Sequence, residues 1–118
     1  MPRLLATAAI LVVLLLVTGG ARAQRSVESV QEQVALDNDS VRIGLLTFAP
    51  FASSGLHLNT EPEIGIVVEG ELTLITRAGK EVLGPGSVRW LAPITAHDAR
   101  NESNRPVRMW ALNLKRCE

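Results

Sequence analysis

The residues best suited to chemistry in this chain are two histidines and the polar side chains close to them. His57 and His97 are the only histidines among 118 residues, and Asn59 and Glu63 follow the first of them. Side chains alternate along an extended strand, so positions 57, 59 and 63 share one side of it. Two imidazoles and a carboxylate with open positions suit a divalent metal such as iron, manganese, nickel or zinc.

Three features of this set leave alternatives open. Glu61 has the same parity as Glu63, so alternation alone does not say which carboxylate faces the histidines. Asn59 offers a neutral amide oxygen, which is a weaker ligand for these metals than imidazole. Arg89 lies between Val88 and Trp90. Its side chain either enters a cavity and binds an anionic ligand or points outward into an ion pair.

The stretch around the first histidine resembles the first motif of the cupin superfamily. That motif has the form H-x-H, three or four residues, E, six residues, G. His57 and Glu63 match its first histidine and its glutamate, and six residues separate Glu63 from Gly70. Asn59 takes the place of the second histidine. This departure affects the metal site that the resemblance implies.

The stretch around the second histidine resembles the second cupin motif, G, five residues, P-x-G-x-x-H, three residues, N. Gly86, His97 and Asn101 match in register, whereas Ala92 and Ile94 replace the proline and the glycine of the turn. The chain is therefore similar to small single-domain cupins with a degenerate metal motif. The resemblance implies a metal site formed by His57, Asn59, Glu63 and His97.

Short apolar runs separated by Gly and Pro predict an all-β fold. We expect an antiparallel jelly-roll, cupin-like barrel of six to eight strands over about residues 36–115. The predicted strands are Val41–Phe48, Glu63–Glu69, Glu71–Arg77, Ser87–Leu91 and Val107–Leu114. The predicted core positions are Val41, Ile43, Leu45, Ile66, Val67, Leu72, Leu74, Val88, Trp90, Met109 and Ala111.

The N-terminus has the three parts of a secretory signal. A basic start at Arg3 precedes an uncharged apolar run, which ends in Ala21-Arg22-Ala23. The predicted domains are a signal peptide (1–23), a polar leader (24–35) and the barrel domain (36–118). The domain is expected to be exported to the periplasm or the extracellular space. The alternative is an uncleaved N-terminal membrane anchor.

The charge and the composition of the chain limit the kinds of partner that it can bind. Removal of Arg3 and Arg22 with the signal leaves 10 basic and 12 acidic residues, a net charge of about −2. Scattered basic residues and few aromatics argue against a nucleic-acid partner. Cys117 is the only cysteine, so an internal disulfide cannot form. This thiol is either free or paired with another chain.

The apolar strand Ile64–Val68 carries apolar residues on both faces, while a barrel interior covers one face. We therefore expect a homodimer, unless the leader covers the second face through Val27, Val30 and Val34. Two functions remain open. One is a divalent-metal-dependent enzyme acting on a small organic molecule, with no catalytic residue identified. The other is a non-catalytic small-molecule binding cupin that has lost its metal.

Overall fold

The computed structural model describes residues 30–115, in which eight strands form and no helix occurs. The strands are β1 (Val30–Asp37), β2 (Val41–Phe48), β3 (Glu63–Glu69), β4 (Leu72–Thr76), β5 (Gly79–Leu83), β6 (Val88–Leu91), β7 (His97–Arg100) and β8 (Val107–Leu114). The predicted signal peptide (1–23), the first part of the predicted leader (24–29) and Cys117 lie outside the described residues. Within the described range, no helix is long and apolar enough to cross a membrane.

The strands form two antiparallel sheets with a cavity between them. The larger sheet has the order β1-β2-β8-β3-β6, and the smaller has the order β5-β4-β7. Every pairing between these strands is antiparallel. The predicted all-β jelly-roll barrel is therefore confirmed, with the upper number of strands in the predicted range.

β1 begins inside the segment predicted to be a polar leader. Its pairing with β2 runs from Val30 opposite Phe48 to Asp37 opposite Arg42. Residues 30–35 are thus part of the larger sheet, and the barrel starts before the predicted residue 36. Val27, Val30 and Val34 are spaced three and four residues apart, as on one side of a helix, but this local preference is weak and pairing with β2 overrides it.

The core fills the space between the sheets with apolar side chains. Phe48, Val67 and Val107 are completely or almost completely buried. Five of the predicted core positions are confirmed as buried: Val67, Leu72, Leu74, Met109 and Ala111.

The predicted core assignment of β6 is wrong. Val88 and Trp90 are 64% and 50% exposed, respectively. Arg89 and Leu91, which alternate with them, line the cavity instead. Outward-facing positions of β2 and β3 are half-buried instead of buried. These positions are Val41, Ile43, Leu45 and Ile66.

Candidate functional site

An isolated antiparallel bridge brings the two histidines together. The His57 N–H donates to the His97 carbonyl at 2.9 Å, and the His97 N–H donates to the His57 carbonyl at 2.8 Å. Residues that exchange both backbone hydrogen bonds in this way carry their side chains on the same face. The ring centroids are consequently 4.2 Å apart, with an interplanar angle of 59°.

Backbone carbonyls fix the protonation pattern of both rings. Nδ1 of His57 lies 2.8 Å from the Gly55 oxygen, and Nδ1 of His97 lies 2.9 Å from the Thr95 oxygen. A carbonyl only accepts, so each Nδ1 carries the proton and donates it. In a neutral ring the lone pair then belongs to Nε2. Each histidine therefore presents an acceptor, or a metal ligand, at Nε2.

Asn59 and Glu63 form a pair in the cavity wall. The Asn59 amide donates from Nδ2 to Glu63 Oε2 at 2.5 Å. The backbone carbonyl of Asn59 accepts a hydrogen bond from the Ile94 backbone N–H at 2.8 Å, which connects this loop to the turn before β7. Glu61 lies in a different depression, together with Asp39 and Lys115. Of the two candidate carboxylates, Glu63 is the one that lines the cavity.

The predicted metal ligands are brought into one cavity but do not form a finished metal site. Within residues 30–115, no group of three or more His, Cys, Asp or Glu side chains is arranged to hold a metal ion. The two imidazoles adjoin each other, while the Glu63 carboxylate is hydrogen-bonded to Asn59. The donor types fit a divalent metal, and one oxygen of Glu63 is already engaged by the Asn59 amide.

The cavity has a volume of about 190 Å³, and both sheets contribute to its wall. His97 is 3% exposed, whereas His57 is exposed and lies at the mouth. Most of the wall is apolar. Its apolar residues include Leu46, Val67, Leu72, Leu74, Leu83, Leu91, Met109 and Ala111. A largely apolar wall with a few polar groups is the usual composition of a small-molecule site.

Arg89 enters the cavity wall from β6. Its Nε lies 3.3 Å from Glu81 Oε1 on β5, across the gap between the sheets. That contact is too poorly aligned to be a hydrogen bond, since Nε is buried and has no hydrogen-bond partner among the described residues. Nη1 makes one long bond of 3.4 Å to the Trp90 carbonyl. The sequence left open whether Arg89 enters the cavity or forms an ion pair outside it. In the structure Arg89 lines the cavity and also forms an ion pair with Glu81.

Glu32 is a cavity residue that the sequence analysis missed. It lies on β1 and lines the cavity, and its carboxylate pairs with Arg42 at 2.6 Å. This hydrogen bond raises the pKa of Arg42 above its usual value. Glu32 was not considered because its segment was assigned to a leader. Had the segment been recognised as a strand, alternation would have placed Glu32 and Val30 on the same face.

Two motif residues act in the fold and lie outside the cavity wall. Gly70 has φ of 78°, and a Cβ there would lie 2.6 Å from the Pro106 oxygen. Asn101 is 1% exposed. Its Nδ2 donates to the carbonyls of Ala49 and Arg105 at 3.1 and 2.6 Å. Besides the cavity residues, the motif therefore includes a glycine required by a tight turn and an asparagine that holds two loops together through hydrogen bonds.

Comparison with known proteins identifies the fold. The family model described as "Cupin domain" matches residues 44–113. No curated protein sequence matches the chain significantly.

Solved structures from several bacteria are similar to this chain, and the first two below are described as cupins. A cupin domain from Bordetella pertussis is 21% identical, with a TM-score of 0.65, over 75% of this chain and 95% of that one. A Cupin 2 conserved barrel domain protein from Salinispora arenicola is 25% identical, with a TM-score of 0.66, over 78% and 82%. The polyketide cyclase RemF from Streptomyces resistomycificus is 16% identical, with a TM-score of 0.69, over 75% and 67%.

Proposed function

The chain belongs to the cupin family, and on that premise we propose that the cavity between its sheets binds a small organic molecule. The observation that supports this proposal is the cavity itself, which is largely apolar and into which polar groups from both sheets point. Ligand sites usually measure roughly 300–1,000 Å³. A volume of about 190 Å³ favours a ligand smaller than most cofactors.

The polar groups have defined roles in such binding. His57 and His97 offer Nε2 as an acceptor for a hydroxyl or amine of the ligand, since Nδ1 is already bonded. Glu63 keeps a second carboxylate oxygen for the ligand while Asn59 holds the first. These contacts support binding without a chemical step. RemF shares the fold at 16% identity, so its cyclase activity is not transferred to this chain.

A fragment screen by nuclear magnetic resonance tests this proposal. Small organic molecules should shift the amide signals of cavity residues such as Val67 and Met109. His57→Ala should weaken the hits several-fold, because it removes one polar contact at the mouth. Leu56→Ala is the matched control, since Leu56 is the neighbouring residue and is 76% exposed. A screen in which no fragment shifts the cavity signals would contradict the proposal.

A divalent metal ion is the second candidate occupant. The observation that favours it is the bonding of both Nδ1 atoms to backbone carbonyls, an arrangement common around metal-bound histidines. His57 and His97 would hold the metal through Nε2, with Glu63 or Asn59 completing the set. Such a metal would supply Lewis acidity to an enzyme acting on a small organic molecule.

Elemental analysis of protein purified from its native compartment separates the two candidates. Near-stoichiometric iron, manganese, nickel or zinc that is lost in His57→Ala and His97→Ala would support the metal. Protein that is metal-free and still binds small molecules would support the metal-free cavity.

We also propose that the domain acts after export to the periplasm or the extracellular space. The support is the basic start, the apolar run and the small-residue exit of residues 1–23. N-terminal sequencing of the secreted or periplasmic protein should give a start near Gln24. Recovery of the full-length chain from the membrane fraction would favour the membrane anchor instead.

A further inference from the structure

The charged side chains that face the cavity differ in how well their hydrogen-bonding groups are satisfied. Glu32 is bonded to Arg42 at 2.6 Å, and Glu63 accepts from Asn59 at 2.5 Å. Arg89 has one ionic partner among the described residues, Glu81, at 3.3 Å without hydrogen-bond alignment. Both carboxylates therefore have close hydrogen-bond partners, whereas Arg89 keeps a buried N–H donor without one.

The guanidinium of Arg89 has unused donors. An arginine carries five N–H groups. Here Nη1 makes one long bond, and the buried Nε makes none within residues 30–115. A buried donor without a partner costs free energy that a well-placed acceptor would recover. A planar carboxylate accepts two parallel bonds from such a group.

Small residues lie beside Arg89 in the cavity wall. Gly65 lies directly opposite Arg89 in the pairing of β3 with β6, and Ala111 lies opposite Gly65 on β8. All three residues line the cavity. Because Gly65 and Ala111 have little or no side chain, the long side chain of Met109 reaches over Gly65. A Cβ at Gly65 would lie 2.9 Å from the terminal methyl of Met109.

We infer that the cavity ligand is a small organic carboxylate with an apolar body, and that Arg89 binds its anionic group. This rests on the proposed function, because it names the chemical class of the molecule that the cavity takes. Leucine side chains and Met109 enclose the apolar body. A single negative charge is favoured over a doubly charged phosphate monoester, because Arg89 is the one Arg or Lys among the described residues lining the cavity.

Met109 provides a specific probe of the site. Met109 is the one methionine of residues 24–118, so methyl labelling of the mature form with carbon-13 gives a single signal, and Met109→Leu verifies its assignment. The protein is titrated with matched pairs of similar size, benzoate against benzamide and butyrate against butyramide. The acids should shift the Met109 methyl signal and bind about tenfold more tightly than the amides, as expected for a charge-assisted bond.

Variants assign this preference to Arg89. Arg89→Gln should reduce the affinity for the acid to that for the amide, and Arg89→Lys should retain part of the preference. Arg108→Gln is the matched control, because Arg108 is exposed on β8 and alternates with the cavity residue Met109, so it faces away from the cavity. It should leave both affinities unchanged. Amide spectra of all variants verify their folding.

The outcomes distinguish this inference from the proposed function. If acids and amides bind equally, or if Arg89→Gln leaves the preference for acids intact, the carboxylate inference is overturned while cavity binding stands. If neither member of any pair shifts the Met109 methyl, and the fragment screen also gives no cavity hits, both are overturned.

Discussion

At the scale of single residues, Asn59 stands where the cupin motif has its second histidine. An imidazole at this position is a better ligand for first-row metals than an amide, and it would also replace the amide that engages Glu63. We predict that Asn59→His raises the affinity for Zn²⁺ by at least about tenfold, the order seen when groups around a metal site change. Isothermal titration calorimetry with Zn²⁺ measures this directly.

Leu58→His is the control for this experiment. Leu58 is 50% exposed and lies next to Asn59, so this variant adds an imidazole of opposite parity. It should leave the Zn²⁺ affinity near that of the unchanged protein. A Zn²⁺ affinity of Asn59→His equal to that of Leu58→His would argue against a metal at the histidine pair.

Ile94 is the second informative residue, because its backbone is strained. It stands where the cupin motif has glycine, and it keeps a positive φ of 62°. The left-handed region costs a residue with a Cβ about 1–2 kcal/mol. The side chain is 69% exposed, so little packing offsets this cost. The sequence predicted a turn here. The replacement of the motif glycine by isoleucine did not reveal that the turn keeps a positive φ, the conformation that favours glycine.

We predict that Ile94→Gly raises the free energy of unfolding by about 1 kcal/mol, as measured by urea denaturation. The gain is limited because glycine also gives the unfolded chain more freedom. Ala92→Gly, in the same loop but without a positive φ, should lower stability by roughly 0.5–1 kcal/mol. Destabilisation by Ile94→Gly would mean that the Ile94 side chain makes contacts worth more than the backbone strain.

At the scale of strands, the sequence predicted β2, β3, β4, β6 and β8 to within one residue at each end. These strands are rich in Val, Ile and Leu, so their composition carries the signal. It missed β1, most of which lies in the segment assigned to the leader. It also missed β5 and β7, whose sequences are GKEVL and HDAR. Both are short, largely polar, and paired to β4, so they depend on tertiary pairing that local composition does not show.

The faces of the strands were harder to predict than the strands. Alternation divides a strand into two sets of side chains but does not say which set faces the cavity. In β6 we assigned the apolar residues Val88 and Trp90 to the core, whereas Arg89 faces the cavity. The spacing of the two motifs was more informative about the cavity than hydropathy. It predicted that His57 and His97 share one cavity, as they do.

An ion-pair network connects the edge strand β1 to its neighbours. Lys115 lies 2.5 Å from Asp37, and Arg42 lies 3.0 Å from the same carboxylate. The hydrogen bond from Lys115 is the main cause that holds the pKa of Asp37 below its usual value of 3.8. A lowered pKa means that the contribution to stability is complete above the unfolded value and is lost as the pH falls through the folded one.

We therefore predict that pairing of β1 with β2 weakens below about pH 3.8, which is visible as faster amide exchange in β1. A carbon-13 titration of the Asp37 carboxyl should give a pKa below 3.8 in the unchanged protein. Lys115→Met should raise this pKa towards 3.8. Lys80→Met is the control, because Lys80 pairs with Glu102. An Asp37 pKa that is the same in both variants would contradict the assigned cause.

At the scale of the whole molecule, the outward face of the larger sheet is unusually apolar. Two rows of paired residues cross it from β2 to β6. One row is Leu45, Trp110, Ile66 and Val88, and the other is Ile43, Leu112, Ile64 and Trp90. Trp90 and Val88 are 50% and 64% exposed. Exposed apolar patches of this kind usually mark an interface.

The structure bears on the alternative in which the N-terminal segment covers this face. Val30, one of the three valines proposed to cover it, lines the cavity and therefore faces the other way. Val34 belongs to β1, at the edge of the same sheet, and is 45% exposed. Neither residue lies over Trp90 or Trp110, which leaves residues 24–29 as the remaining candidates within the leader.

We expect the mature protein to form a two-fold homodimer through this face, because an isologous pair buries the same patch on both subunits. Burying a valine or isoleucine side chain fully stabilises by roughly 1.5–3 kcal/mol before the costs of association. Trp90→Glu should therefore shift the molar mass measured by light scattering from dimer to monomer. Val82→Glu, on β5 of the other sheet at 59% exposure, should remain dimeric.

A form that begins at Val30 completes this test, because it keeps β1 and removes the remaining candidates for the cover. If the mature protein is monomeric and only the shortened form associates, residues 24–29 are the cover, and the dimer prediction is wrong. The prediction also fails if both forms stay monomeric at high concentration. Dimers of both forms that Trp90→Glu separates would assign the interface to the outward face of the larger sheet.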